Sequence, residues 1–219
     1  MTDRWRVERC RGSASRFHAR DWPDPVVPTV WVHEVDRPAL VLGSAQAVGV
    51  VDVEACDRSG VEVVRRRSGG GAVLLVPGEV VWVDVLVPAG HERWSDDVGR
   101  ATWWLGEAWA AALGSDALVH RSGMVRSPWS SLVCFAGLGP GEVVVAGRKA
   151  VGVSQRRTRA GARFQSALYG RWDPSALVGL LALDGGARFE LAAALAGVVH
   201  EAEDADAALA RLLAGTFGA

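Results

Sequence analysis

From Val30 to Val87 the chain is a succession of short, valine-rich apolar runs broken by turn residues. Runs of this length and composition, bounded by Gly, Pro, Asp and Ser, read as strands. They predict strands over 31–35, 39–43, 61–65, 72–76 and 80–87. The last has turn chemistry at both ends, Pro77-Gly78 before it and Pro88-Ala89-Gly90 after it. Residues 1–28, polar and carrying Pro23, Pro25 and Pro28, read as an irregular lead-in. Ser95 reads as the N-cap of a helix with Asp96 and Asp97 in its first turn. Val98, Ala101, Leu105, Ala108, Trp109 and Ala112 follow at helical spacing, and Gly114 is the stop. A second strand block is expected over 131–136, 142–146, 150–155 and 163–169. Gly147-Arg148 lies between two valine-rich runs and suits a two-residue type II′ hairpin from which Lys149 emerges. Asp173 followed by Pro174 reads as a helix start. A break at Asp184-Gly185-Gly186 and further helix over 189–200 and 205–213 complete the chain. Strands first and helices last predict an α+β fold with a mixed or antiparallel sheet, not a doubly wound parallel one.

A length of 219 residues suits one domain, with a motif-bearing core at about 30–174 and a helical part at 175–219. Hydrophobic residues at 49% exclude a disordered chain, and a net charge of -1 excludes a global pull toward nucleic acid or an anionic membrane. Cys10, Cys56 and Cys134 have no tight spacing, and His18, His33, His91, His120 and His200 are scattered, so neither a disulfide framework nor a metal site is expected. The N-terminus lacks the apolar run of a signal peptide, and no stretch reaches the roughly 20 apolar residues that span a bilayer. The expected location is cytoplasmic.

Two stretches carry chemistry. In Arg65-Arg66-Arg67-Ser68-Gly69-Gly70-Gly71-Ala72-Val73, three glycines let the backbone approach a ligand closely and turn several N–H groups into one concavity. The arginines add charge and bidentate donors for phosphate or carboxylate. A plain surface turn explains the glycines but not the cations. In Gly147-Arg148-Lys149-Ala150-Val151-Gly152-Val153-Ser154-Gln155, a lysine on a tight hairpin with Gly152 and Ser154 beyond it can stabilise charge developing in acyl transfer or adenylation. From Arg148 to Arg163 there are six cationic residues and no acid, either a solvated face or a docking surface for an acidic partner.

Together these stretches resemble the catalytic domain shared by lipoate–protein ligase A, the lipoyl and octanoyl transferases and, more distantly, biotin–protein ligase. Arg66 with Ser68–Val73 resembles the family's first motif. Residues 147–155 resemble its second, and Ala39-Leu40-Val41-Leu42-Gly43-Ser44-Ala45-Gln46 is similar to the segment before the first. The resemblance runs from about Pro38 to Pro174. It implies that Lys149 contacts the acyl carbonyl and the adenylate. It also implies that Arg66, Ser68, Gly69, Gly70, Gly71, Ala72, Val73 and Leu74, with Gly152 and Ser154, line the acyl and nucleotide pocket. Cys134, in Leu132-Val133-Cys134-Phe135, matches the position where one octanoyltransferase subgroup uses a thioester nucleophile. Cationic surroundings favour a thiolate there, whereas its apolar flanks suit a buried small hydrophobe. Cys10 and Cys56 lie outside both motifs. The cluster Trp103, Trp104 and Trp109 reads as core and rim, or as an aromatic wall for an acyl chain.

The chain departs from the family at two histidines. Leu74-Leu75-Val76-Pro77-Gly78-Glu79 stands where the first and a following amide are usual, and Phe164-Gln165-Ser166 stands where the second is. The paired motifs make the first reading a ligase using ATP and Mg²⁺ to load lipoate or octanoate onto a lipoyl carrier domain or a glycine-cleavage H-like protein. The second, close behind, is a transferase without cofactor that uses Cys134. A non-catalytic acyl- or carrier-binding protein is the third. No nucleic-acid or membrane partner and no metal ligand are expected.

Overall fold

The computed structural model describes residues 4–219; Met1, Thr2 and Asp3 of the expected lead-in lie outside them. Among the described residues ten strands and six α-helices make two sheets with helices outside them, the mixed α+β architecture expected. The strands are β1 Arg6–Gly12, β2 Thr29–Val35, β3 Ala39–Leu42, β4 Glu62–Arg65, β5 Val73–Leu75, β6 Val80–Pro88, β7 Ala117–Val119, β8 Val143–Val145, β9 Arg148–Arg157 and β10 Gly161–Tyr169. The helices are α1 Ala14–Ala19, α2 Val53–Arg58, α3 Trp103–Leu113, α4 Pro174–Val178, α5 Gly185–Leu195 and α6 Ala205–Leu212. The large sheet runs β1-β2-β6-β10-β9-β8-β7 and the small one β4-β3-β5. Strands β1–β2 and β3–β4 pair in parallel, and the other strand pairs among the described residues are antiparallel.

Strand alternation decides what each sheet buries. In β6, Val81, Val83, Val85 and Val87 pack with Leu105 and Trp109 of α3 and Leu209 and Leu212 of α6. In the small sheet, Leu40, Leu42 and Leu74 pack with Leu177, Leu181, Leu191 and Leu195 from α4, α5 and the turn between them. The opposite face of that sheet, with Val41 and Leu75, meets Trp82 of β6 and Phe17 of α1. The two sheets therefore face each other, with α1 closing part of the gap.

Several expectations fail for identifiable reasons. The lead-in contains β1 and α1. The half-exposed pattern of β1 hides its pairing with β2, and Ser13 caps α1 by accepting from Arg16 N. Helix α3 begins at Trp103, not after Ser95. Ser95 Oγ donates to the Asp97 carbonyl, Asp97 Oδ1 takes the amides of Gly99 and Arg100, and Val98 is exposed, so separate turns form there. The apolar run 131–136 is not a strand. Trp129 O takes the amides of Leu132 and Val133, and a single helical turn follows at Cys134–Ala136. Asp184 caps the start of α5 in addition to interrupting helix. The short strand β7 was not expected. Gly114 and Asp173 take their expected places at a helix end and a helix start.

Candidate active site

The glycine loop links β4 to β5 and is packed too tightly for a side chain at Gly71 and against Gly43, while Gly69 has open space around it. A Cβ on Gly43 would lie 1.9 Å from Gly70 O, and one on Gly71 would lie 2.6 Å from the carbonyl carbon of Val133. Arg66 holds the loop from within. Its Nη1 donates to Val41 O (3.2 Å), and its Nη2 donates to Gly69 O (2.7 Å) and Gly71 O (2.9 Å). Burial pulls the pKa of this guanidinium down. The expected bidentate grip on a ligand is therefore spent on carbonyl groups of the loop itself. The amides of Gly69, Gly70 and Gly71, in contrast, have no hydrogen-bond partner among the described residues.

The hairpin carrying Lys149 turns one residue earlier than expected. Ala146 and Gly147 both have positive φ (49° and 75°), and Val145 pairs with Arg148, which makes it a type I′ turn. Lys149 is held by its backbone as well, donating to Val198 O (2.9 Å) and accepting from His200 N (2.9 Å). Its side chain is 5% exposed. Nζ is 2.7 Å from Glu142 Oε2 and donates to the carbonyls of Cys134 (3.1 Å) and Gly137 (3.1 Å). An ammonium has three N–H groups, and these three acceptors use them all. Glu142 is fixed in turn, taking Gly139 N on Oε2 (2.7 Å) and Val153 N on Oε1 (3.0 Å). The Phe135 ring lies 4.7 Å from Nζ.

Two cavities meet beside this lysine. The narrow one, about 50 Å³, lies between the sheets; Val41, Val73, Leu75, Trp82 and Phe135 form much of its wall. The wider one, about 330 Å³, is bounded by the glycine loop, Thr102, Met124, Glu142 and Lys149. Cys134, Val153 and Ser154 line both. A Cβ on Gly70 would stand 2.9 Å from Arg66 Nη2 and 3.8 Å from Cys134 Sγ, so guanidinium and thiol are neighbours across the loop.

Most residues expected at the site come together here. Ser68 Oγ bonds Gln165 Oε1 (2.9 Å) and Ser154 Oγ (3.0 Å), tying the loop to β9 and β10. Gly152 leaves the space the cavity needs, since a Cβ there would be 3.1 Å from the Phe135 ring. Ala72 is buried, and its amide donates to Leu132 O. Leu74 is displaced from the expected set. Alternation points it into the helix-facing core while Val73 and Leu75 face the cavity. The tryptophans of α3 stay out of both walls, and Trp109 donates to Ser166 Oγ (3.0 Å) in the core. Of the six cations from Arg148 to Arg163, Lys149 and Arg163 are buried in ion pairs with Glu142 and Asp84. Glu79 pairs with Arg171 (3.3 Å) in a groove away from the site.

Sequence reasoning missed Glu142, His18 and the role of Gln165. Glu142 opens a strand-like run and gives no signal of an inward turn. His18 lies in the misread lead-in, yet it lines the narrow cavity beside Leu75. A Mg²⁺-nucleotide would meet unpartnered glycine amides in the wider cavity but only Lys149, fully engaged, as a cation. Among the described residues no three His, Cys, Asp or Glu side chains group as metal ligands. The cation lining the wider cavity is thus already paired with Glu142.

A family model described as the lipoyl protein ligase A/B catalytic domain matches residues 16–189. The chain belongs to that family. It is 33% identical over 164 residues to an octanoyltransferase LipM of Kyrpidia tusciae, a match covering 71% of this chain but only 59% of that relative. The fold is shared with a solved bipartite lipoate protein ligase of Thermoplasma acidophilum, described with its E2 lipoyl domain (TM-score 0.71, 17% identity, 98% of this chain and 82% of that one). It is shared also with a lipoate-protein ligase A bound with ATP (TM-score 0.67, 16% identity, 98% and 84%). A relative named as a transferase and structures named as ligases are thus both similar to this chain. Among the described residues no helix is long and apolar enough to cross a membrane.

Proposed function

We propose that this family member is a cofactor-independent acyltransferase that carries an octanoyl- or lipoyl-type group as a thioester on Cys134. The observation that carries this reading is the place of Cys134 in the walls of both cavities. A slender chain lies in the narrow apolar cavity, and the donor or acceptor arm reaches the thiol through the wider one. This reverses the order drawn from sequence, where the ligase came first, because the cations a nucleotide would need are committed to the fold.

In the first half-reaction the Cys134 thiolate attacks the thioester carbonyl of an acyl donor. A C–S bond forms to Cys134, the donor C–S bond breaks, and the proton given up by Cys134 ends on the departing donor thiol. In the second, a neutral lysine amine of an acceptor carrier attacks the same carbonyl. A C–N bond forms, the Cys134 C–S bond breaks, and the amine proton restores the thiol. Lys149 fixes the carbonyls of Cys134 and Gly137 and so the turn that presents the thiol. The unpartnered amides of Gly69–71 are the donors available to a developing oxyanion.

The test is intact mass spectrometry of wild type and Cys134→Ser. Each is given octanoyl-carrier protein or, separately, lipoate, ATP, Mg²⁺ and a lipoyl domain. An octanoyl adduct on wild type that is absent from Cys134→Ser is expected. Carrier modification that requires ATP and survives Cys134→Ser would make the protein a ligase.

A further inference from the structure

The narrow cavity has one polar feature that a plain alkyl chain would leave unused. His18 is 7% exposed, and its ring stacks on Trp82 with centroids 4.6 Å apart. Burial pushes its pKa down to about 3, so the imidazole is neutral. A neutral imidazole has one donor and one acceptor nitrogen. The Gln165 amide, which Ser68 Oγ also meets, faces Nδ1 (3.5 Å). Nε2 is the ring nitrogen left over. That buried Nε2 has no protein partner.

The nearby carboxylate does not answer it. Asp84 Oδ2 is taken by His33 Nε2 and Arg163, and Oδ1 by Trp82 Nε1 (2.8 Å). Val41, Val73 and Leu75 on the cavity wall offer no side-chain hydrogen-bond partner. A buried polar nitrogen left unanswered weakens binding about tenfold relative to one that is met.

We infer that His18 is a specificity-determining residue whose Nε2 hydrogen-bonds a hydroxyl carried along the acyl chain, so that the site prefers a hydroxy-bearing medium-chain acyl group over a plain saturated one. This rests on reading the narrow cavity as the acyl site, but it does not require chemistry at Cys134.

The experiment measures binding of free octanoic acid and of octanoic acids bearing one hydroxyl at successive carbons from C4 to C8, by calorimetry, to wild type, His18→Leu and His18→Gln. Cys134 adduct formation from the matching thioesters is followed by intact mass in parallel. One hydroxy acid should bind wild type about tenfold tighter than octanoic acid. His18→Leu should remove or invert that ratio, and His18→Gln, which keeps a donor and an acceptor, should retain part of it. If octanoic acid binds wild type as tightly as every hydroxy acid, or if His18→Leu leaves the ratio unchanged, the inference falls. If the binding ratio behaves as expected but no thioester acylates Cys134, the inference stands and the thioester reading falls.

Discussion

At the scale of single residues, Lys149 and Glu142 are one unit. Both are nearly inaccessible, and each satisfies groups the other cannot. Removing either partner leaves an uncompensated buried charge, which costs about 3–5 kcal/mol, whereas removing both charges costs less than the sum. Lys149→Met and Glu142→Gln should each lower the urea midpoint clearly, and the double variant should be more stable than additivity allows. Additive losses would show that the pair is not coupled. His18 gives a second prediction. Its folded pKa is lowered, to about 3, so on acidification from pH 6.5 the unfolded chain takes up a proton that the native one refuses. Stability should fall by about 1.4 kcal/mol per pH unit below 6.5 until the pH nears the folded value. Urea unfolding at pH 7 and pH 5 should show a loss of about 2 kcal/mol in wild type from this residue, absent in His18→Leu. Asp84 acts in a lower window. Burial alone would raise its pKa, but Arg163 and His33 outweigh that and hold it well below the carboxylate range. Its contribution is present above its unfolded pKa of about 4 and is lost only in stronger acid.

At the scale of elements, what was legible followed periodicity, and what was not followed pairing. Strands β2 to β6 could be read because valine runs with turn residues at their ends leave little else for the backbone to do. Strand β1 could not, since an edge strand in parallel register need bury little and shows no apolar alternation. The run around Cys134 is apolar enough for a strand, but Ala72 and Trp129 claim its amides first. The hairpin that presents Lys149 was located within one residue, and the error has an energetic trace. Ala146 holds φ 49°, a conformation glycine adopts freely and alanine only at a cost of roughly 1 kcal/mol. Ala146→Gly should therefore be neutral to stabilising despite the added freedom of the unfolded chain, while Gly147→Ala, at φ 75°, should destabilise. Thermal melts of the two variants should move in opposite senses or differ by several degrees; equal losses would mean that the turn is not strained.

At the scale of the whole molecule, the site exists because two sheets face each other across a gap that their side chains do not quite fill. The glycine loop belongs to the small sheet, the Lys149 hairpin to the large one, and His18 to a helix spanning the gap. The sequence motifs name the first two but carry no information on their distance, which is why Lys149 and the glycine loop were legible and the cavity wall was not. Gly152 is where this arrangement can be tested. A Cβ there would stand 3.1 Å from the Phe135 ring and 3.4 Å from Lys149 Cε, so a bulkier residue must intrude on the narrow cavity. The wider cavity is not lined by Gly152. Gly152→Val should cut the yield of the octanoyl adduct on Cys134 at least tenfold relative to that of an acetyl adduct, at a stability cost of about 1–3 kcal/mol from overpacking. If eight-carbon and two-carbon donors lose equally in a folded variant, the chain does not lie between the sheets and the two cavities do not divide the work at Cys134.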